Sequence, residues 1–112
     1  LLGPAALAVL IFEVLLNGMA MFNHANLALS RRQDAALRML IVTPDMHRIH
    51  HSVHRAEHDT NYGFSLSVWD RLFGTYKAEP EAGHVAMRTG LDLPAAARPE
   101  ALFWSLRLPF RR

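Results

Sequence analysis

The sequence predicts an all-α chain embedded in a membrane, with one transmembrane helix followed by short interfacial helices that carry histidines. Three observations predict it. Residues 1–22, LLGPAALAVLIFEVLLNGMAMF, are almost wholly apolar. Thr43-Pro44-Asp45 opens a helix, and Trp69, Leu72, Phe73 and Tyr76 recur at helical spacing. Five histidines crowd into residues 47–58, while the rest of the chain holds only His24 and His84.

Residues 1–22 form the first element. A helix of that length spans about 33 Å at roughly 1.5 Å per residue, close to the thickness of a bilayer's hydrocarbon. A buried core helix of a soluble protein is the alternative, because Glu13, Asn17 and Gly18 interrupt the run. The run lacks the basic start and small-residue cleavage site of a signal peptide. Glu13 is costly against lipid, so it is expected to face other helices or a polar cavity. Arg31, Arg32 and Arg38 follow the span and place that end on the cytoplasmic side.

Residues 33–42, QDAALRMLIV, read as a short helix with an apolar side. The next helix begins with Thr43 as N-cap, Pro44 at the first helical position and Asp45 at the positive end of the dipole. Residues 62–68, YGFSLSV, carry a strand-like alternation, but the spacing of the following aromatics favours a loop leading into a short helix that ends at Gly74. Trp69 and Tyr76 suit a membrane–water interface. Residues 77–98 are rich in Pro, Gly, Ala and Glu and read as a surface loop or extended tail. Pro99 starts a last short helix, ALFWSLRL, stopped by Pro109; Trp104, Arg107, Arg111 and Arg112 give it an interfacial character. The domain organisation expected is therefore residues 1–80, with the span at 1–22 and the histidine region at 23–80, followed by a tail over 81–112.

The histidines carry the chemistry. On a continuous helix over 47–58, at about 100° per residue, His47, His50, His51, His54 and His58 all fall within roughly 100° of arc. Met46, Ile49 and Val53 lie together on another side and are free to pack. Neutral imidazole is the commonest metal ligand and suits iron, zinc, copper and nickel. The bland alternative is a solvated, pH-sensitive patch. Asp59-Thr60-Asn61 resembles a turn, which gives a helix that stops before His58 as the alternative. His84 reads as an exposed tail histidine. His24 stands just past the apolar run, at a depth where a folded-back chain would bring residues 47–51 to it.

Composition narrows the classes further. The chain has no cysteine, so disulfides and thiolate metal sites are excluded. Its formal net charge is +2 and its basic residues are scattered, with no tract to follow a phosphate backbone, so no nucleic-acid partner is expected. No internal repeat is present.

Three segments, FNHANL at 22–27, TPDMHRIHHS at 43–52 and NYGFSLSVWDRLFGTY at 61–76, resemble in order and spacing the C-terminal half of the fatty acid hydroxylase/sterol desaturase superfamily. These are integral membrane, non-haem di-iron enzymes that use O₂ to hydroxylate or desaturate lipids. The resemblance covers roughly residues 5–80. It implies that His47, His50 and His51 form the last histidine box and that His24 belongs to the box before it. Several relatives carry a second histidine four residues on, where this chain has Ala28; here the form is His24-x-Asn26. Asn61, Asn26 and His54 are implied as possible outer contacts or additional ligands, with a turn or cap as the alternative for Asn61. Asp45, Glu57, Asp59 and Asp70 are near enough in sequence to support the ligands, with a solvated acid as the favoured alternative for each. Trp69, Asp70 and Gly74 are expected to fix the fold near the site.

The superfamily's earlier boxes, an HxxxH and an HxxHH, lie upstream on preceding helices, and this chain has no histidine before His24 to supply them. Four histidines cannot fill two iron spheres, so the chain is expected to be the C-terminal portion of a longer enzyme and inactive alone. The resemblance further implies two iron ions shared with ligands outside this segment, O₂ as co-substrate, a sterol or fatty acyl type of lipid substrate, and an electron-donating reductase or redox protein. The competing expectations are a histidine-rich membrane protein that captures zinc without oxygenase activity, and a non-catalytic segment whose imidazoles respond to pH.

Overall fold

The computed structural model describes residues 3–93 and 97–110. Helices are the only extended regular elements among the described residues: α1 (Ala6–Asn23), α2 (Arg31–Leu37), α3 (Pro44–His50), α4 (Arg55–His58), α5 (Val68–Phe73), α6 (Gly83–Ala86) and α7 (Leu102–Arg107). Among the described residues, β-type pairing is confined to two isolated antiparallel bridges, Ile41 with Leu66 and Ser52 with Thr89. Leu1 and Leu2 of the expected span, and Arg111 and Arg112 of the expected interfacial helix, lie outside the described residues.

α1 begins two residues after Pro4 and is long and apolar enough, by length and composition, to cross a membrane. It is exposed along most of its length; Leu16, Met19, Ala20 and Phe22 are half-buried and Asn23 is buried. The lower end packs on α3, and the rest projects. The radius of gyration of 17.1 Å records this projection, since a compact chain of this length would have about 13 Å. A bare apolar rod of this kind is stable only under a cover of lipid or further protein. In mid-helix, the Asn17 amide donates to the Glu13 carbonyl oxygen at 2.8 Å and to its carboxylate at 3.3 Å, so the acid is partly satisfied within its own helix.

α2 starts earlier and stops earlier than the expected helix over 33–42. Ser30 and Gln33 form a reciprocal capping box, which sets the start at Arg31. The end comes at Leu37 because the next residues are taken by another partner: Val42 N–H donates to the Ser65 carbonyl (3.0 Å) and Ile41 bridges to Leu66. Arg38 is also not a free loop cation. It is 6% exposed, paired with Asp34, and donates from Nη1 to the Ala78 carbonyl at 2.7 Å.

α3 begins as its cap residues predict. The Thr43 hydroxyl accepts from Met46 N–H (3.4 Å) and donates to Asp34 Oδ1 (2.6 Å), with Pro44 at the first helical position. The expected single helix through residue 58 does not form. α3 ends at His50, His51 is its C-cap, and His54 becomes the N-cap of the separate, four-residue α4. The break has a local cause: the Ser52 hydroxyl accepts from His54 N–H (3.1 Å) and donates to Glu57 (2.6 Å), which turns the chain.

α5 ends at Gly74, whose φ of 71° is the left-handed cap the sequence predicts. The loop before it is tied down by Asp70, which is 1% exposed. Asp70 Oδ1 accepts from Tyr62 N–H and the Thr75 hydroxyl, both at 2.7 Å, and Oδ2 accepts from Gly63 N–H at 2.9 Å. Gly63 has to be glycine because a Cβ there would meet Asp70 Oδ2 at 2.6 Å and the Leu66 carbonyl oxygen at 2.7 Å.

Among the described residues, fully buried large apolar side chains are few: Val42, Met46 and Ile49. Buried polar groups outnumber them, with Asp34, Arg38, Thr43, Ser52, Glu57, Asn61, Ser67 and Asp70 among them. A small domain held this way depends on complete hydrogen bonding, because each unmet buried polar group costs about 1–3 kcal/mol. Residues 77–98 are more than a surface loop: they contain α6, and residues 88–90 pair back onto residues 51–53.

Candidate metal centre

α1 and α3 meet at one end, and their histidines meet there with them. His24 caps α1, one residue past Asn23, whose amide donates to the Phe64 carbonyl at 2.6 Å and pins that end in place. His47 lies in the middle of α3 and His51 at its C-cap, four residues apart and therefore on one face.

His47 Nε2 lies 3.3 Å from His24 Nε2 and 3.0 Å from His51 Nε2. The three donor atoms all fall within 4.8 Å of one another, and no other trio of potential ligands among the described residues converges so closely. Imidazole nitrogens bind ions such as zinc at about 2.1 Å, so two neighbouring donors on one ion sit roughly 3.0–3.4 Å apart. The two spacings to His47 match that requirement, and His24 and His51 stay within 4.8 Å of each other. A nitrogen-only donor set of this kind fits iron, zinc, copper or nickel and disfavours calcium or magnesium.

The rings are set for lone-pair donation. His24 Nδ1 lies 2.8 Å from the Ala20 carbonyl oxygen, which can only accept, so Nδ1 carries the proton and Nε2 is free. His50 is arranged the same way: its Nδ1 donates to the Thr60 carbonyl at 3.0 Å. His50 does not join the trio. Its ring packs 5.4 Å from that of His51 and stacks on His58 at 5.6 Å, with Tyr62 on its edge. His47 is 7% exposed, and its Nδ1 is buried with no hydrogen-bond partner among the described residues. Burial, reinforced by His51, His24 and His50, pushes the His47 imidazole down from 6.5 to about 4. His51 is lowered too, by desolvation and then by its histidine neighbours. Both rings are therefore neutral at physiological pH, the form a metal needs.

The other expected site residues fall into place around this trio or away from it. Asn26 is exposed and lines the same open cleft of about 310 Å³, together with Asn23, Arg48 and Thr89. Asn61 is buried with a φ of 51°, and its amide is fully committed to backbone: it donates to the Met46 and Lys77 carbonyls at 3.0 and 2.9 Å and accepts from Lys77 N–H at 2.9 Å. It thus grips α3 one residue before His47. His54 is exposed and is not part of the converging trio. Asp45 pairs with Arg48 at 3.4 Å, Asp59 with Arg55 at 3.1 Å, and His84 with Glu79 at 3.1 Å.

Glu57 is 1% exposed and accepts from the Ser52 hydroxyl at 2.6 Å and from Glu81 N–H at 2.7 Å. Burial alone would raise its carboxyl, but these hydrogen bonds, with Lys77 and His54 nearby, hold it below the usual range. Asn23 and Thr89 line the cleft without having been singled out from the sequence. Asn23 had a signal, its place beside His24, whereas Thr89 reaches the cleft only through pairing across 37 residues of chain, with Ser52.

Comparison with known proteins gives the chain's family. The fatty acid hydroxylase family model matches residues 1–75, which include all three converging histidines and His50. The human alkylglycerol monooxygenase is 44% identical over 45 residues, 40% of this chain and 10% of that protein. The ornithine lipid hydroxylase OlsE of Rhizobium tropici is 48% identical over 44 residues, 39% of this chain and 13% of that protein. The alkylglycerol monooxygenase of Xenopus tropicalis is 42% identical over 45 residues, again 10% of its length. The matched segment thus spans about a tenth of these curated relatives. No solved structure matches. With the family model covering well over half of its residues, the chain belongs to the fatty acid hydroxylase family.

Proposed function

We propose that this chain forms the C-terminal part of a membrane-bound lipid hydroxylase with a di-iron centre, and that His24, His47 and His51 hold one of its ions. The observation that carries this reading is the meeting of three Nε2 atoms from two separate helices, at the foot of an exposed apolar helix. The His50 ring lies beside that of His51 with its Nδ1 committed to Thr60, and its Nε2 is the proposed donor to the second ion. Four imidazoles fill neither coordination sphere, so the remaining ligands are proposed to come from other helices of a longer polypeptide.

Iron, when bound, would supply the O₂-derived oxidising power needed to break an unactivated C–H bond, which side chains alone do not provide. The chain's own residues perform the rest. The Ala20 and Thr60 carbonyls fix the tautomers of His24 and His50. Burial keeps His47 neutral and ready to donate. The cleft between the ends of α1 and α3 opens beside the trio, so a lipid tail lying along the apolar face of α1 would bring its carbons to the ions. Asn61 and Asp70 hold α3 and the following loop rigid around them.

Alkylglycerol monooxygenase and ornithine lipid hydroxylase, as named, act on glycerol- or ornithine-based lipids, and we propose a lipid of comparable size and polarity as substrate. Arg31 and Arg32 support placing the site on the cytoplasmic side, where an electron-donating protein would re-reduce the iron. The experiment is to purify the full-length protein in detergent, measure iron per chain and follow O₂-dependent hydroxylation of alkylglycerols and ornithine lipids. Two irons per chain with O₂-dependent product support the reading. Tightly bound zinc with no O₂ consumption would support a metal-capture protein instead.

A further inference from the structure

The family match ends at residue 75, yet the chain beyond it returns to the metal centre. Gly90 N–H donates to the His51 carbonyl at 2.9 Å, and Val53 N–H donates to the Arg88 carbonyl at 3.0 Å. These two bonds flank the Ser52–Thr89 bridge, and Thr89 lines the cleft that also holds His24, His47 and His51. The route of this strap is fixed further back. Buried Glu57 takes the Ser52 hydroxyl with one oxygen and Glu81 N–H with the other, so the segment leaves at Glu81 and returns at Gly90.

His51 has particular need of such support. His47 is held by burial inside α3, and His24 by the hydrogen bond of its ring to Ala20. His51 is exposed and stands at the C-cap, where helix carbonyls lack intrahelical partners and the chain is free to fray. The strap satisfies its carbonyl and fixes the peptide on its C-terminal side. Gly90 makes the pairing possible: its φ of 107° is a conformation that L side chains rarely adopt, although the space around it is open.

We infer that the Arg88–Gly90 strap is a working part of the metal centre, acting as a positioning element that fixes His51 through its backbone. This rests on His51 being a ligand, as proposed above. Gly90, Ser52 and Glu57 act through His51 and touch no metal themselves. The tail after residue 75 then contributes to metal retention.

The test uses the full-length protein loaded with cobalt(II), comparing Gly90→Ala, Glu57→Gln and, as a control, Gly83→Ala, which alters a glycine of positive φ (72°) elsewhere in the same tail. Gly90→Ala and Glu57→Gln are expected to release cobalt to a chelator about tenfold faster and to shift its visible absorption, as loss of support around a ligand does. Gly83→Ala is expected to match wild type in both readouts. Thermal unfolding confirms that each variant is folded; if Gly90→Ala is not, Glu57→Gln decides by the same readouts. Folded variants with wild-type release and spectrum, or a Gly83→Ala control that moves as far as Gly90→Ala, overturn the inference while leaving the metal centre intact. A wild-type protein that binds no cobalt overturns the metal centre and the inference together.

Discussion

Asp70→Asn is the sharpest test of how the fold holds the site. The carboxylate accepts three hydrogen bonds, from Tyr62 N–H, Gly63 N–H and the Thr75 hydroxyl, and is 1% exposed. An asparagine keeps one acceptor atom. With its oxygen at the Oδ1 position it still meets Tyr62 and Thr75, but its amide then confronts Gly63 N–H, donor against donor. Flipping the amide rescues Gly63 and strands Tyr62. One buried backbone N–H is unmet in either case, at about 1–3 kcal/mol, and the surviving bonds lose their charge assistance. The expected loss is about 3 kcal/mol. Thr75→Val, which removes a single bond, is expected to cost about 1 kcal/mol. Thermal unfolding of the full-length protein in detergent reads both, with Asp70→Asn the larger drop. An Asp70→Asn protein within about 0.5 kcal/mol of wild type, the range of an unremarkable surface change, would refute the reasoning.

Other perturbations follow from the same geometry. Gly63→Ala drives a Cβ against both Asp70 Oδ2 and the Leu66 carbonyl and is expected to destabilise by about 1–3 kcal/mol, measured by the same unfolding assay. Because His47 is depressed from 6.5 to about 4, the unfolded chain binds more protons than the folded one between those values. The metal-free protein should therefore keep this contribution in full above pH 6.5 and lose it progressively toward pH 4, by at most about 3 kcal/mol, and His47→Phe should flatten that slope. His47→Ala should abolish metal binding at the trio, whereas His54→Ala should leave metal content unchanged, as measured by elemental analysis of the purified protein.

Much of this architecture is legible in the sequence where the signal is local. The apolar run fixes α1, Thr43-Pro44 fixes the start of α3, and Gly74 fixes the end of α5. Ser30-x-x-Gln33 was an equally local signal for α2, obscured by the apolar pattern further on. The i, i+3, i+4 spacing of the histidines brought His47 and His51 to one face, and the greasy run ending beside His24 placed the third ring of the trio near them.

The rest depended on distant partners. A continuous stripe from His47 to His58 satisfies helical periodicity, yet Ser52, Glu57 and the returning strap break it. No rule of periodicity reveals that a hydroxyl five residues from a carboxylate will turn the chain. Two buried acids were equally hidden: Asp34 and Glu57 look like surface residues in sequence, and only their partners show them to be clamps, whereas Asp70 ties down its loop as the sequence led one to expect. Ile41 and Val42 read as the apolar side of a helix, but the backbone of residues 65 and 66 claims them.

The central claim is that His24, His47 and His51 share one ion. An anomalous-difference map recorded at the iron edge on crystals of the full-length protein tests it most directly. The account predicts a peak about 2.1 Å from all three Nε2 atoms, with a second peak beside His50. Iron bound elsewhere, or these three rings turned outward with no peak between them, would contradict it.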